Sequence, residues 1–139
     1  ADAIIMGPGS LYTSIIPNLL VNGVVDTIVK SRAVKIYICN IMTQSGETDN
    51  YTVSDHLKAI IKHTVNLGVI DYVVVNSEDA PLELLERYKA ENSYVIACDV
   101  ENIRKLGITL AKAKILSTRD YLRHDSLKLA HSIMKILAL

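Results

Sequence analysis

The sequence has no phenylalanine and no tryptophan, and only three prolines and six glycines among 139 residues. Without the two large apolar rings, a core must be built from aliphatic side chains, with seven tyrosines as the only aromatic bulk. So little proline and glycine argues against a disordered or low-complexity chain. Net charge is missing too, since 15 basic and 15 acidic side chains cancel. A nucleic-acid-binding domain normally carries a basic excess, so no nucleic-acid partner is expected. No apolar run reaches the ~18 residues of a membrane span. Pro17, Asn18, Asn22 and Asp26 interrupt the best candidate. A charged-then-apolar leader pattern is also absent. The two cysteines, Cys39 and Cys98, end separate apolar runs. They read as buried thiols of a reducing compartment rather than a disulfide. These absences predict a soluble, cytoplasmic protein.

What is present is a packed domain. Half of the residues are hydrophobic and 22% charged, and a single domain of this length removes roughly two thirds of its unfolded surface from water. β-rich apolar runs recur at Ala3–Met6, Lys35–Cys39, Ile70–Val75, Tyr94–Cys98 and Lys112–Ser117. Their apolar residues are consecutive rather than alternating, as in parallel strands covered on both faces. Helical patterns lie between them. Two short helices broken by Pro17 and Gly23 are expected between Ser10 and Ser31. One opens at Ser54-Asp55, carries Leu57, Ile60, Ile61 and Val65, and ends at Gly68. Another has Pro81 in its first turn, followed by Leu82, Leu85 and Tyr88. A short helical turn fits Asp99–Gly107, and the last helix opens at Asp125. Strand–helix alternation predicts an α/β, mostly parallel sheet with helices on both faces, residues 1–139 forming one domain unit.

In such sheets ligands bind beyond the carboxyl ends of the strands. After the first strand, Gly7 and Gly9 permit close backbone approach, and Ser10, Thr13 and Ser14 offer hydroxyls at a helix start. The segment reads either as an anion site or as a tight turn with Ser10 as a plain cap. It is neither a P-loop nor a dinucleotide fingerprint. After the second strand, the Asn40–Val53 segment exceeds the ~2–6 residues usual for such connections. Asn40, Thr43, Gln44, Glu47, Thr48 and Tyr51 line a polar ligand, or else form a solvated loop; a ligand wall would order on binding. Asn76 ends the third strand. Arg123, beside a helix start capped by Asp125, reads as a two-donor anion clamp or as a solvated arginine. The histidine pairs His56/His63 and His124/His131 lie seven apart, not at the i, i+4 spacing of a shared zinc, so no metal site is expected from them. His56 and His124 remain hydrogen-bond candidates.

The run Gly7-Pro8-Gly9-Ser10-Leu11-Tyr12-Thr13-Ser14-Ile15-Ile16-Pro17-Asn18-Leu19-Leu20 resembles a signature of the gluconeogenesis factor family (YvcK/GlmR-like), in the CofD-like superfamily with 2-phospho-L-lactate transferase. Cys39-Asn40-Ile41-Met42-Thr43-Gln44-Ser45-Gly46-Glu47-Thr48, continuing to Ser54-Asp55-His56, resembles its second signature, and Leu122-Arg123-His124-Asp125 its C-terminal one. Ser45 stands where family members usually have proline. Family proteins begin with a strand and a glycine-rich loop, and none precedes Ala1; the resemblance therefore implies a C-terminal portion of a larger domain. It further implies a Rossmann-like fold and a protein that binds a UDP-sugar such as UDP-N-acetylglucosamine, or a related phosphorylated small molecule. Such a protein links carbon metabolism to cell-wall precursor supply and cell shape. On this resemblance the ligand site comprises Gly7, Gly9, Ser10, Thr13, Ser14, Asn40, Thr43, Gln44, Glu47, Thr48, Asp55, His56, Asn76 and Arg123. A regulated enzyme and a second copy of the chain are the expected protein partners, and no cofactor is required. The alternatives are a magnesium-dependent phospholactyl transferase, for which Glu47, Asp49 and Asp55 are the carboxylates available, and an interaction module without activity.

Overall fold

Val, Ile and Tyr fill the two most apolar runs, and these form the centre of the sheet. The structure, a computed structural model, describes residues 1–117 and 121–138. Strands β1 (Ala3–Met6), β2 (Val34–Ile38), β3 (Tyr72–Asn76) and β4 (Thr109–Ala113) stand in the order β1-β2-β3-β4. All three pairings are parallel, with Ile5 opposite Ile36, Tyr37 opposite Val73 and Val74 opposite Ala111. The helices are α1 (Ile16–Leu19), entered through a wide turn at Leu11–Ile15, then α2 (Val24–Lys30), α3 (Val53–Thr64), α4 (Leu82–Ala90), α5 (Val100–Lys105) and α6 (Ser126–Leu137). A two-stranded antiparallel ladder, β5 (Leu116–Ser117) with β6 (Arg123–His124), leads into α6.

Alternation along β2 divides the core in two. Tyr37 and Cys39 face Val73, Val75 and the α3 residues Val53, Leu57 and Ile60. Ile36 and Ile38 turn the other way, onto Val74, Ile115 and the α6 residues Leu129 and Ile136. Ile36 and Ile38 are fully buried, which stabilises the fold by about 1.5–3 kcal/mol per side chain relative to exposure. Both faces of the sheet are thus covered by helices, as the continuous apolar runs predict. Both cysteines are free thiols, and burial pushes the Cys39 and Cys98 pKa values up. Among the described residues, no single helix is long and apolar enough to cross a membrane.

Three expectations about elements need correcting. Tyr94–Cys98 is not a sheet strand: only an isolated antiparallel bridge, Met42 to Val95, forms there. The segment runs against residues 41–43 instead, with Ile96 N–H donating to Ile41 O and Thr43 N–H to Tyr94 O. The expected Lys112–Ser117 strand is two pieces, β4 and β5, and the fourth sheet position belongs to Thr109–Ala113, whose exposed Thr109 and Lys112 weaken its apolar signal. Finally, the cap of α3 is Thr52, two residues before the expected Ser54, because Thr52 and Asp55 form a reciprocal capping box. It ends at Thr64 with Val65 at φ +53°, while Gly68 sits in a separate short turn.

Candidate functional site

The carboxyl ends of β1 and β2 open into a cleft of about 500 Å³, walled by Pro8, Gly9, Asn40, Ile41, Met42, Leu122, Arg123 and His124. Two glycines shape the loop after β1, which borders the cleft at Pro8 and Gly9, in different ways. Gly7 has φ +91°, and a Cβ there would sit 2.9 Å from the Ile38 carbonyl oxygen. This position demands glycine on both counts. Gly9, the residue for which a special backbone is expected from sequence, is not in the left-handed region, and a Cβ on it would make only ordinary contacts with Ile15 and Ser14. Its role lies in its peptide groups. Gly9 N–H donates to Asn40 Oδ1 (3.2 Å), and Asn40 Nδ2 donates to Gly9 O (2.9 Å). This paired bond from the end of β2 fixes the loop after β1, making Asn40 a positioning residue rather than a free ligand donor.

The hydroxyl cluster expected to greet an anion already holds one. Ser10 Oγ donates to the Glu47 carboxylate (2.6 Å to either oxygen), Tyr12 N–H donates to Glu47 Oε1 (3.1 Å), and Thr13 Oγ1 donates to Ser10 Oγ (2.6 Å). Ser10 makes no side-chain cap of its own. Glu47 caps this helix start from 37 residues away, and a carboxylate there suits the exposed N–H groups. Ile15 N–H closes a wide i→i+5 turn on Ser10 O. Ser14 is exposed, and its carbonyl accepts from Asn18 Nδ2.

Across the cleft, Leu116 pairs with His124 and Ser117 with Arg123 in the β5–β6 ladder. His124 Nε2 lies 3.1 Å from the Cys39 carbonyl oxygen, which can only accept, so that nitrogen carries the hydrogen. Burial lowers the His124 pKa, with the Cys39 bond opposing it. The exposed Arg123 guanidinium stands 5.1 Å from the Tyr121 ring centroid, with Arg87 at 5.7 Å from the same ring. The start of α6 is not the anion partner of Arg123. Asp125 accepts from Leu127 N–H (3.1 Å) and Lys128 N–H (3.0 Å), so those donors are taken.

The other sequence candidates lie outside the cleft. Thr43 and Thr48 are buried and structural. Thr43 Oγ1 accepts from Tyr94 N–H (2.9 Å), Thr43 O accepts from Ser93 Oγ, and Thr48 Oγ1 accepts from Gln44 N–H (2.9 Å). Gln44 itself is exposed. The segment after β2 is therefore stapled by its own hydroxyls, not a free polar loop. Asp55 caps α3, and hydrogen bonds from Thr52 outweigh its burial to lower its pKa. His56 is fully buried, its Nδ1 2.8 Å from Thr52 O and its ring edge-on to Tyr51. Desolvation lowers its pKa, against the Thr52 bond and the nearby Asp55 and Glu47 charges. Asn76 lines a smaller neighbouring hollow of about 190 Å³ that shares Asn40 and Ile41. Its amide braces the turn after β3 by donating to Glu78 O (2.8 Å) and accepting from Glu78 N–H (3.3 Å).

The carboxylates considered for magnesium do not fit that role. Glu47 is bound to Ser10 and Tyr12, Asp49 to Gly46 N–H (2.8 Å), and Asp55 to Thr52 and Lys58. Among the described residues no group of three metal-ligating side chains converges. The structure thus brings together Gly9, Asn40, Arg123 and His124, while Gly7 packs against Ile38 O just outside the lining. Sequence reasoning missed Ile41, Met42, Leu122 and Tyr121, of which only the last two carry a signal, by adjoining Arg123.

Comparison with known proteins agrees with this layout. The chain is 49% identical over 138 residues to a putative gluconeogenesis factor of Thermoanaerobacterium thermosulfurigenes, covering 99% of this chain and 42% of that protein. It is 44% identical to the gluconeogenesis factor of Bacillus subtilis, covering 99% and 43%. It therefore spans less than half the length of these relatives. A crystal structure of a Bacillus halodurans protein of the UPF0052 family superposes with a TM-score of 0.92 at 42% identity, over 96% of this chain and 43% of the other. Residues 1–116 match the family described as 2-phospho-L-lactate transferase CofD, and the chain belongs to that CofD family.

Proposed function

We propose that this chain supplies part of a UDP-sugar site and acts as a regulatory binding protein rather than as a catalyst. The observation that carries the reading is the cleft itself. An exposed guanidinium, a histidine held in one tautomer and a backbone loop locked by Asn40 meet at the carboxyl ends of two parallel strands. That is where ligands bind in open α/β sheets. Arg123 offers two parallel donors to a diphosphate, and Tyr121 beside it offers a flat face. General acid–base work needs paired groups of suitable pKa, and among the described residues no carboxylate lines this cleft. The relatives' name, gluconeogenesis factor, supports a role in carbon metabolism; the link to cell-wall precursor supply and the cytoplasmic location are part of the proposal. A regulated enzyme and a second copy of the chain remain the proposed partners. The phospholactyl transferase alternative draws support from the family description but not from the carboxylate geometry.

Calorimetric titration with UDP-N-acetylglucosamine tests the proposal. Hydrogen bonds to charged groups contribute roughly 1.5–3 kcal/mol, which is about a 10- to 150-fold change in affinity. Arg123→Ala should weaken binding by that factor while leaving stability within about 0.5 kcal/mol, as for other exposed residues. Arg123→Lys should restore only part of it, because a point charge lacks the two-donor fork. Undiminished binding by Arg123→Ala would assign the arginine to solvent and remove the core of the proposal.

A further inference from the structure

We propose that Arg87 is the second guanidinium of the anion clamp, held at the rim of the Arg123 cleft to select a nucleoside diphosphate over a monophosphate, an assignment that rests on the UDP-sugar reading of that cleft.

A short chain of contacts brings Arg87 to the rim. Leu84, Leu85 and Tyr88 of α4 pack on Ile41, Met42 and Leu122, and those three residues are themselves walls of the cleft. Leu122 N–H donates to the Tyr88 hydroxyl (3.2 Å), which sets the helix against the strand that carries Arg123. Arg87, one residue before Tyr88, reaches Tyr121, one residue before Leu122. Its Cζ stands 5.7 Å from the Tyr121 ring centroid, and the Arg123 Cζ stands 5.1 Å from the same centroid. The two guanidiniums are thus no farther apart than those two distances laid end to end.

Each cation gains from the ring, but two cations on one ring repel each other. Glu83 and Glu91 lie four residues to either side of Arg87. Among the described residues neither pairs with it, and Arg123 makes no ion pair either. An anion bound between the arginines turns the repulsion into attraction. A diphosphate carries two charged groups joined by one oxygen, so each guanidinium takes one phosphate with its two-donor fork. A monophosphate fills one fork and leaves the other unused. Arg87 therefore adds selectivity for the diphosphate, beyond the single clamp that Arg123 provides.

The test is calorimetric titration of the intact protein with UDP-N-acetylglucosamine, UDP and UMP. Arg87→Ala should weaken the two diphosphates about tenfold, the lower end of the range for a charged hydrogen bond. UMP should respond to only one of Arg87→Ala and Arg123→Ala, because its single phosphate occupies one fork. Arg87→Lys should recover part of the loss, since it restores the charge without the fork. Arg87 is exposed, and an unchanged melting temperature of Arg87→Ala would verify that α4 stays seated. Full UDP affinity in Arg87→Ala, beside normal binding by the parent, would overturn the proposal and leave the UDP-sugar reading standing. A UMP affinity that fell equally in both alanine variants would also overturn it, making Arg87 a support for Tyr121 and Arg123 rather than a phosphate contact. A parent protein that bound none of the three nucleotides would sink the UDP-sugar reading, and the clamp with it.

Discussion

Replacing Gly7 by alanine tests how the loop that borders the cleft is built. The backbone at Gly7 has φ +91°, and holding an alanine in such a conformation costs about 1–2 kcal/mol. Its Cβ would also sit 2.9 Å from the Ile38 carbonyl oxygen. That atom belongs to β2, hydrogen-bonded between two neighbours, so it cannot move aside without disturbing the sheet. A forced shift in a packed region adds roughly 1–3 kcal/mol, for a sum of about 2–5 kcal/mol. A domain of this size loses about 3–4 °C in melting temperature per kcal/mol. Gly7→Ala should therefore melt on the order of 6–20 °C lower. Gly23, at φ +81° with open space around it, is the control for φ strain alone and should lose about 1–2 kcal/mol. Gly9→Ala should stay within about 1 kcal/mol, since its Cβ meets only ordinary contacts. Circular-dichroism melts of the three variants decide the matter. If Gly7→Ala melts no lower than Gly23→Ala, the clash with Ile38 has no energetic weight and the loop is not built as described.

Further outcomes follow from the surrounding bonds. Glu47→Ala should cost about 1–3 kcal/mol in urea unfolding, because it leaves the Ser10 hydroxyl and Tyr12 N–H without their partner. UDP-sugar affinity should be unchanged in that variant, whereas tighter binding would mean that Glu47 competes with the ligand's phosphates for those donors. The amides of Gln44 and Thr48, bonded within the segment, and of Thr43, bonded to Tyr94 O, should exchange slowly without ligand, and rapid exchange that slows only with UDP-sugar would restore the picture of a wall ordered by binding. Stability should fall as pH drops below about 6.5. Burial lowers the His56 and His124 pKa values, so the unfolded chain takes up protons first. The slope is at most about 1.4 kcal/mol per pH unit for each histidine, down to the folded-state values. His56→Asn should flatten the dependence of the urea midpoint on pH, and an unchanged slope would place its titration elsewhere.

The layers of the fold were legible because β2 and β3 are continuous apolar runs, a signal produced by burial on both faces. The fourth strand was not. Thr109-Leu110-Ala111-Lys112-Ala113 lies at an edge, where exposed side chains dilute the pattern, whereas Tyr94–Cys98 looks like a strand because Val95, Ile96 and Ala97 are contiguous. Periodicity cannot tell a sheet strand from an extended segment lying against a loop. Within the site, Arg123 and Asn40 were legible from position alone, one beside a helix start and one at a strand end. The roles of Asn40 and Glu47 were not, since Asn40 binds Gly9 across 31 residues and Glu47 binds Ser10 across 37. Nothing local in either segment encodes those partners. The hydroxyls of Thr43 and Thr48 misled for a related reason: a polar side chain that closes a turn carries the same letter as one that faces a ligand.

The most direct measurement is a nitrogen-15 titration of the intact protein with UDP-N-acetylglucosamine, following backbone amides together with the Arg123 Nε–H. Binding in the cleft between β2 and β6 should shift Gly9, Ile41, His124 and the Arg123 side chain along one shared saturation curve. The amides of β4, at the opposite edge of the sheet from β1, should stay still. Saturable binding that leaves the Arg123 Nε–H and the Gly9 amide unmoved would contradict the assignment of this cleft as the UDP-sugar site.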